Sequence, residues 1–324
     1  MTKIIPQVSI IIPSFNEEKY IGDCLSSIFN SDYPTEKFEV ILIDNGSTDK
    51  TVSIAKQYPI DVYIKKEVKV GALRNLGVAH SRGQFIIFID SDCTVERDWI
   101  SIGIKRLEND TRLVLGGQYL MRENPSWLEK YWVLNNSRTQ IYQTTLVGGS
   151  IFIPKNIFLS ISGFDEKINS GEDSDLTYRL RSAGYKVEID PALSVVHLGY
   201  PSELVPFVRR QIWHSSDYIT NFKKSIHDKV FILTSLFLIS FIIIALQLVV
   251  FRTLNTHLMV IALIAPTLLT YKRVLRSKTK YTSPFDLISI YLIDILYLTG
   301  RSLGTLISLK NLLFAKSSHK VNKK

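Results

Sequence analysis

The sequence predicts an α/β domain built on a mostly parallel sheet, followed by C-terminal transmembrane helices. Three observations carry that prediction. Short β-branched runs alternate with helical periods from Val8 to about His197, the pattern of a parallel sheet covered by helices. The run Phe85–Ile89 is apolar throughout and breaks abruptly into Asp90-Ser91-Asp92; a strand buried on both faces reads this way, and open α/β sheets bind ligands just beyond such strand ends. Residues 230–251 contain no charged side chain over 22 positions, enough to cross a bilayer.

The composition agrees. The 324-residue chain is 21% charged, yet its mean hydropathy is slightly positive, so the apolar residues are segregated, mostly after Lys229. Net charge is +9. A basic balance points to nucleic acid, anionic lipid or phosphorylated substrates. Because much of the excess lies near the apolar C-terminal segments, lipid and phosphate fit and nucleic acid does not. The two cysteines, Cys24 and Cys93, lack metal-ligand spacing and imply no disulfide framework or zinc site, which favours a reducing compartment. No signal peptide is expected, since Met1–Gln7 has no apolar core.

In chain order, Val8–Ile12 is a strand, Pro13–Glu18 a loop and Tyr20–Phe29 a helix with apolar positions at Ile21, Leu25 and Ile28. Phe38–Ile43, Asp44–Asp49 and Thr51–Tyr58 repeat strand, turn and helix. Asp61–Lys65 is a short strand, and Gly71–Arg82 is a helix leading into Phe85–Ile89. The loops after these strands then share one sheet edge. No G-x-G-x-x-G follows the first strand and no Gly-Lys-Ser/Thr follows any strand, which argues against dinucleotide and P-loop sites. Pro13–Glu17 instead offers an aromatic face and polar side chains, better suited to a nucleoside.

In extended backbone, residues two apart point the same way, so Asp90 and Asp92 can converge on a hard divalent cation; the bland alternative is a simple turn. Trp99–Leu107 is a helix and Leu113–Gly117 a strand. Trp127, Tyr131, Trp132 and Tyr142 fit core better than an acceptor groove. Gly148-Gly149-Ser150 runs into a strand ending at Pro154. Gly171–Ala183 is a helix stopped by Gly184, with Asp173 in its first turn. There the free amides and dipole hold a carboxylate ionised and able to accept a proton, although Ser170 and Asp173 also fit a capping box. Val187–Ile189 and Leu193–Val196 are short strands, and His197 follows.

PSFNEE at 13–18, DNGSTDKT at 44–51, GALRNLGVAHSRGQFIIFIDSD at 71–92, GGS at 148–150, GFDE at 163–166 and GEDSDLTYRLRSAGYKV at 171–187 together resemble the family 2 glycosyltransferases. The resemblance covers about Val8–His197. It implies the GT-A fold, Rossmann-like with a mostly parallel sheet flanked by helices, and transfer with inversion from a nucleotide-sugar donor, UDP by default. It also implies that Pro13, Phe15, Glu17 and Asp44 hold the base and ribose, with Lys69 and Arg74 near the diphosphate. Asp90-Ser91-Asp92 becomes the D-x-D motif, Asp92 a direct ligand of Mn²⁺ or Mg²⁺ and Asp90 a contact to ribose or metal. His197 sits where some members place a further metal ligand, though a lone histidine after a strand is more often structural. Asp173, in the Glu172-Asp173 pair, matches the catalytic base, and Gly149, Trp213 and His214 fall on the acceptor side. Processive members carry Q-x-x-R-W, whereas this chain reads Arg209-Arg210-Gln211-Ile212-Trp213-His214, so single-sugar transfer is expected rather than polymerisation.

The expected domains are a cytoplasmic transferase over 1–228, its residues 202–228 coupling to the membrane, and a membrane domain over 229–324. The latter is read as spans at about 230–251 and 255–271, an interfacial amphipathic helix at about 285–314 and a basic tail. Asp286, Asp294 and Arg301 recur at spacings of eight and seven on that helix, and Lys272, Arg273, Arg276, Lys278 and Lys280 form a cluster expected in the cytoplasm. A multi-pass cell-membrane enzyme acting on a lipid-linked or glycan acceptor follows. A polyprenyl-phosphate sugar synthase and an inactive GT-A scaffold module are the alternatives.

Overall fold

A computed structural model describes residues 5–134, 141, 143–216, 218–219, 222–226, 228–252, 256–277 and 283–321. Tyr142, Lys278 and Lys280, singled out above, and the end of the basic tail at 322–324 lie outside the described residues. The chain divides into two compact units, Met1–Glu123 with Asn135–Tyr200, and Asn124–Leu134 with Pro201–Lys324.

The first unit is the α/β domain. β1 (Val8–Ser14), α1 (Ile21–Phe29), β2 (Phe38–Asp44), α2 (Thr51–Ala55), β3 (Asp61–Ile64), α3 (Val70–His80) and β4 (Phe85–Phe88) alternate as expected. β5 (Cys93–Thr94), α4 (Trp99–Asn109), β6 (Leu113–Gly116) and β7 (Tyr119–Leu120) follow. After α5 (Trp127–Val133), which belongs to the other unit, come β8 (Ile151–Pro154), α6 (Lys155–Ser160), α7 (Glu172–Ser182), β9 (Lys186–Ile189) and β10 (Val195–His197). The main sheet has seven strands in the order β3-β2-β1-β4-β8-β6-β9. Every strand runs parallel except β8, which is antiparallel to both neighbours. The chain steps outward from β1 to β3 and then returns to β4 on the other side of β1, so the strand order reverses between β1 and β4. A crevice opens at such a point, here flanked by the loops that follow β1, β2 and β4.

Side-chain alternation explains why these strands read as unbroken apolar runs. Val8, Ile10, Ile12, Val40, Leu42 and Ile87 pack on one face beneath α1 and α4. Ile11, Ile41, Ile43, Ile86 and Phe88 pack on the other, with Leu73 and Val78 of α3 and Leu176 and Leu180 of α7. A second, three-stranded sheet in the order β5-β10-β7 carries His197 alongside Cys93.

In the second unit α5 opens with a true capping box: Ser126 Oγ accepts from Glu129 N at 3.2 Å, and Glu129 Oε2 accepts from Ser126 N at 2.7 Å. Tyr131 is only 2% exposed, so core was the right reading for it. The unit continues with α8 (Leu204–Ser215), α9 (Phe222–Ser225), α10 (Lys229–Leu246), α11 (Thr256–Ser277) and α12 (Pro284–Val321). α8, within the stretch read as coupling the transferase to the membrane, packs along α12. Gly300 and Gly304 permit this approach: a Cβ on Gly304 would sit 2.3 Å from Ile212 O, and one on Gly300 2.7 Å from Gln211 Cβ. Small residues four apart are how closely packed membrane helices meet.

Among the described residues, Lys229–Val250 and Pro284–Leu313 are long and apolar enough to cross a membrane. The expected second span, now α11, stays helical through Pro266 but falls short of that test, since Lys272, Arg273 and Arg276 fill its last turns. The charged stripe of α12 also differs from expectation by pointing inward. Tyr131 OH donates to Asp286 Oδ1 at 2.6 Å, and the fully buried Asp294 pairs with Arg273 and accepts from Thr270 Oγ1 at 2.7 Å. The outer face carries Phe285, Ile288, Leu292, Leu303, Leu306 and Leu313. Pairing the charges inside lets the helix present an apolar surface, which water would penalise and lipid would not.

Candidate active site

The loops after β1 and β2 are laced together at the sheet edge. Asn16 Oδ1 accepts from Thr48 N at 2.9 Å, and Glu17 N donates to Thr51 Oγ1 at 2.7 Å. Asp44 is buried and turned into its own loop, accepting from Gly46 N at 2.9 Å and Ser47 N at 2.7 Å on Oδ1, and from Ser14 Oγ at 3.1 Å on Oδ2. Phe15 is 54% exposed and offers its face at this edge. Pro13 is a buried strand residue opposite Ile43.

Beyond β4 the backbone leaves the extended conformation. Cys93 N donates to Asp90 O at 3.1 Å, closing a turn, so Asp90 and Asp92 are not related by strand alternation as the spacing predicted; the turn lets β5 pair with β10. Ser91, between them, is buried. The two carboxylates accordingly have different surroundings. Asp90 Oδ1 accepts from Arg74 Nη2 at 2.7 Å and Oδ2 from the Tyr119 hydroxyl at 2.6 Å. Burial acts to raise its pKa, but Arg74, Tyr119 and His197 together hold it below the ordinary carboxylate value. Asp92 Oδ2 lies 3.4 Å from His197 Nε2. Asp92, Cys93 and His197 bring their donor atoms within 4.8 Å of one another, a set that could hold a cation. Burial, then the charges of Asp92 and Asp90, push the Cys93 thiol far up, and a soft sulfur donor suits Mg²⁺ or Mn²⁺ less than oxygen and imidazole do. Asp92 and His197 are the usable pair.

Arg74 joins this side to α7. Its guanidinium is buried, Nη1 donating to Glu172 Oε1 and Nη2 to Asp90 Oδ1, each at 2.7 Å, with the Phe164 ring centroid 5.3 Å from Cζ. The charge expected beside a diphosphate is therefore spent on two carboxylates. Lys69 Nζ donates to the Lys167 carbonyl.

Asp173 follows Glu172 in the first turn of α7. The capping box proposed for Ser170 does not form: the N-cap is Gly171, with φ of +86°, and no side chain caps it. Asp173 Oδ1 accepts from Ser174 N at 2.7 Å and Oδ2 from Gly148 N at 3.3 Å. These amides favour the ionised form, as the first-turn position implied. Burial, then the neighbouring charge of Glu172, outweighs them and raises its pKa to about 6.

The Gly148-Gly149 pair closes the ring of contacts. A Cβ on Gly148 would lie 2.1 Å from Arg74 Nη2, and one on Gly149 2.5 Å from Tyr119 Cε1, so only glycine fits against these groups. Gly149 N donates to the Tyr119 hydroxyl at 2.9 Å, and the Tyr119 ring stands edge-on to His197 with centroids 4.9 Å apart. Tyr119 thus touches the Asp90, Gly149 and His197 positions at once. It was missed because a two-residue strand has no periodic signature; only its place after Gly116-Gly117 marked it. Tyr119→Phe keeps the ring but leaves Asp90 and the Gly149 amide short of a partner, and is expected to cost about 1–3 kcal/mol. Thermal denaturation checks this, and an unchanged Tm contradicts it.

The first unit therefore brings together Arg74, Asp90, Asp92, Gly149, Glu172, Asp173 and His197. Trp213 and His214 lie on α8 in the second unit.

Residues 9–166 match the protein-family model described as Glycosyl transferase family 2. The chain carries a family 2 glycosyltransferase domain. The chain is 29% identical over 202 residues to Glycosyltransferase AglE of Haloferax volcanii, covering 58% of this chain and 65% of that protein. It is also 29% identical over 216 residues to a Methanococcus voltae protein named as a dolichyl N-acetyl-alpha-D-glucosaminyl phosphate glucuronosyltransferase, covering 57% and 64%. The chain spans less than two thirds of either relative. In fold it resembles mannosyltransferase PcManGT from Pyrobaculum calidifontis, solved with GDP-Man and Mn²⁺, with a TM-score of 0.57 at 18% identity over 93% of this chain and 87% of that one. GalNAc-T7, solved with UDP, GalNAc and Mn²⁺, gives 0.51 at 16% identity over 67% and 51%. With the mixed sheet described above, these likenesses establish the GT-A fold.

Proposed function

We propose that the protein is a membrane-anchored inverting glycosyltransferase that moves one sugar from a nucleotide-sugar donor to a hydroxyl of a lipid-linked acceptor. The observation that carries this reading is the Arg74 bridge between Asp90, at the end of β4, and Glu172, the neighbour of Asp173. It ties the donor-side carboxylate to a buried carboxylate whose pKa of about 6 suits a general base at neutral pH. The dolichyl-linked substrate in the name of the Methanococcus voltae relative and the two long apolar helices support an acceptor held at a membrane.

In this reading the loop from Phe15 to Glu17 receives the nucleoside; Pro13, buried in β1, supports that loop from the strand instead of lining it, and Asp44 fixes the loop geometry. Asp92 and His197 would hold the divalent ion, whose charge when bound offsets that of the donor's diphosphate; the imidazole tilts the set from Mg²⁺ towards Mn²⁺. Asp173 takes the proton of the acceptor hydroxyl as that oxygen bonds to the anomeric carbon. The bond from that carbon to the diphosphate breaks, and the nucleoside diphosphate leaves. Tyr119 and Arg74 keep Asp90 fixed throughout.

The test is incubation of the full chain in lipid extract with nucleotide sugars and Mn²⁺ or Mg²⁺. Nucleoside diphosphate is expected to appear in step with lipid-extractable sugar, and no turnover of any donor would overturn the reading. Recovery of a monosaccharide joined directly to lipid phosphate would move the acceptor to the phosphate itself. Asp92→Ala is expected to abolish the Mn²⁺-dependent part of donor affinity in calorimetry; unchanged affinity with Mn²⁺ present removes the metal assignment.

A further inference from the structure

The second unit holds two guanidiniums among its apolar helices, in contrasting surroundings. Arg273 on α11 is neutralised: it pairs with Asp294 of α12 and donates through Nη2 to the carbonyls of Tyr131, at 2.8 Å, and Trp132. Arg301 on α12 pairs with no carboxylate among the described residues. Its Nη1 donates to the Tyr218 hydroxyl at 2.8 Å and to the His214 carbonyl at 3.3 Å. Its charge lies 5.7 Å from the Tyr218 ring centroid and 5.0 Å from that of Tyr297. Nε is buried without a hydrogen bond, and Nη2 makes none to the described residues.

Nε and Nη2 form one edge of the guanidinium plane, the parallel pair of N–H groups that matches two oxygens of a carboxylate or phosphate. One end of Arg301 is thus clamped by a tyrosine and a carbonyl while its bidentate edge is unused. An unneutralised charge within an apolar helix is costly, and such residues mark functional sites. Among the described residues, the surroundings apart from Asp228 are cationic or neutral. Burial, then Arg301 and Arg210, push His214 down to about 3, so it is uncharged at neutral pH. The acid facing this group, Asp228, sits behind Tyr218, accepting from its hydroxyl at 3.4 Å while Oδ1 caps α10 through Val230 N at 2.8 Å.

We propose that the free edge of Arg301, backed by Tyr218 and Tyr297, binds the phosphate of a membrane lipid. Lipid is favoured over a soluble phosphate because the outer face of the same helix presents Leu303, Leu306 and Leu313, an apolar track along which a chain can lie. The inference rests on the reading of a lipid-borne acceptor and adds to it the side chain that recognises the phosphate.

The experiment titrates the full chain in maltoside detergent with polyprenyl phosphate, the matching polyprenol and phosphatidylglycerol, read by native mass spectrometry. The phosphorylated lipids are expected to bind about tenfold or more tightly than polyprenol, and Arg301→Gln is expected to erase that advantage. Preference for polyprenyl phosphate over phosphatidylglycerol assigns the site to the acceptor, and equal binding assigns it to a resident lipid. Arg301→Lys keeps the charge without the fork and is expected to fall between wild type and Arg301→Gln; Tyr218→Phe, which frees Nη1, covers the case in which neither substitution folds. Equal binding of polyprenol and polyprenyl phosphate by the wild type, or an advantage untouched by all three substitutions, overturns the proposal. The transferase reading fails separately, by absence of donor turnover in the wild type, which leaves the lipid titration readable.

Discussion

Asp173→Asn is expected to lower turnover by about 10²–10⁴-fold, the usual worth of a positioned general base, while nucleotide-sugar affinity stays at the wild-type value. The substitution keeps the shape of the side chain and removes its ability to take a proton; it also leaves one of the Gly148 and Ser174 amides without an acceptor, a loss that removal of the buried charge offsets at neutral pH. Wild-type rate should rise with pH through about 6 and then level off, because Asp173 is active when ionised and burial, then Glu172, raises its pKa to that value. The same shift fixes the effect on stability. A carboxylate whose folded pKa is raised favours the fold while protonated, and that contribution is lost as pH climbs from the ordinary 3.8 through about 6. Asp173→Asn should therefore not lower Tm at neutral pH, which separates lost chemistry from lost structure. Steady-state kinetics across pH, with calorimetry for donor binding, measures all three. Undiminished turnover removes Asp173 from the mechanism.

Arg74→Met is expected to destabilise the protein by about 3–5 kcal/mol, the cost of removing one partner from a buried ion pair. Arg74 is 2% exposed, and its loss leaves Asp90 and Glu172 facing each other with no cation between them. Without Arg74, burial of Asp90 is no longer offset by its main cationic partner, so the deficit should be largest at neutral pH and shrink as pH falls through the carboxylate range. Thermal denaturation of wild type and variant at several pH values reads this directly. A variant as stable as wild type at pH 7 would show that the bridge carries no structural weight.

Much of this architecture was legible in the sequence because strand burial leaves a local trace. Runs such as Val8–Ile12 and Phe85–Ile89 had to be apolar on both faces, and Asp and Gly after them had to turn. The motif spacing also located Asp90, Asp92 and Asp173 before any contact was known. What the spacing misjudged were the partners. Asp90 and Asp92 were expected to converge as alternate residues of a strand, but the turn closed by Cys93 N gives one to Arg74 and the other to His197. The helix terminus was expected to hold Asp173 ionised and able to accept a proton; the spacing gave no sign that burial beside Glu172 would raise its pKa to about 6. Tyr119 and the Gly300–Gly304 contact surface left no periodic signal, since each acts through residues distant in the chain.

The sequence by itself determined the order of strands and helices, the rim on which the acidic groups lie and the apolar character of the C-terminal helices. Hydrophobic periodicity and turn chemistry are local properties, readable over a few residues. Only the tertiary structure decided that Arg74 is spent between two carboxylates, that α12 turns its charges inward, and that Arg301 is left with an unused edge. Charge neutralisation and desolvation depend on which distant groups meet, and that is settled when the chain folds.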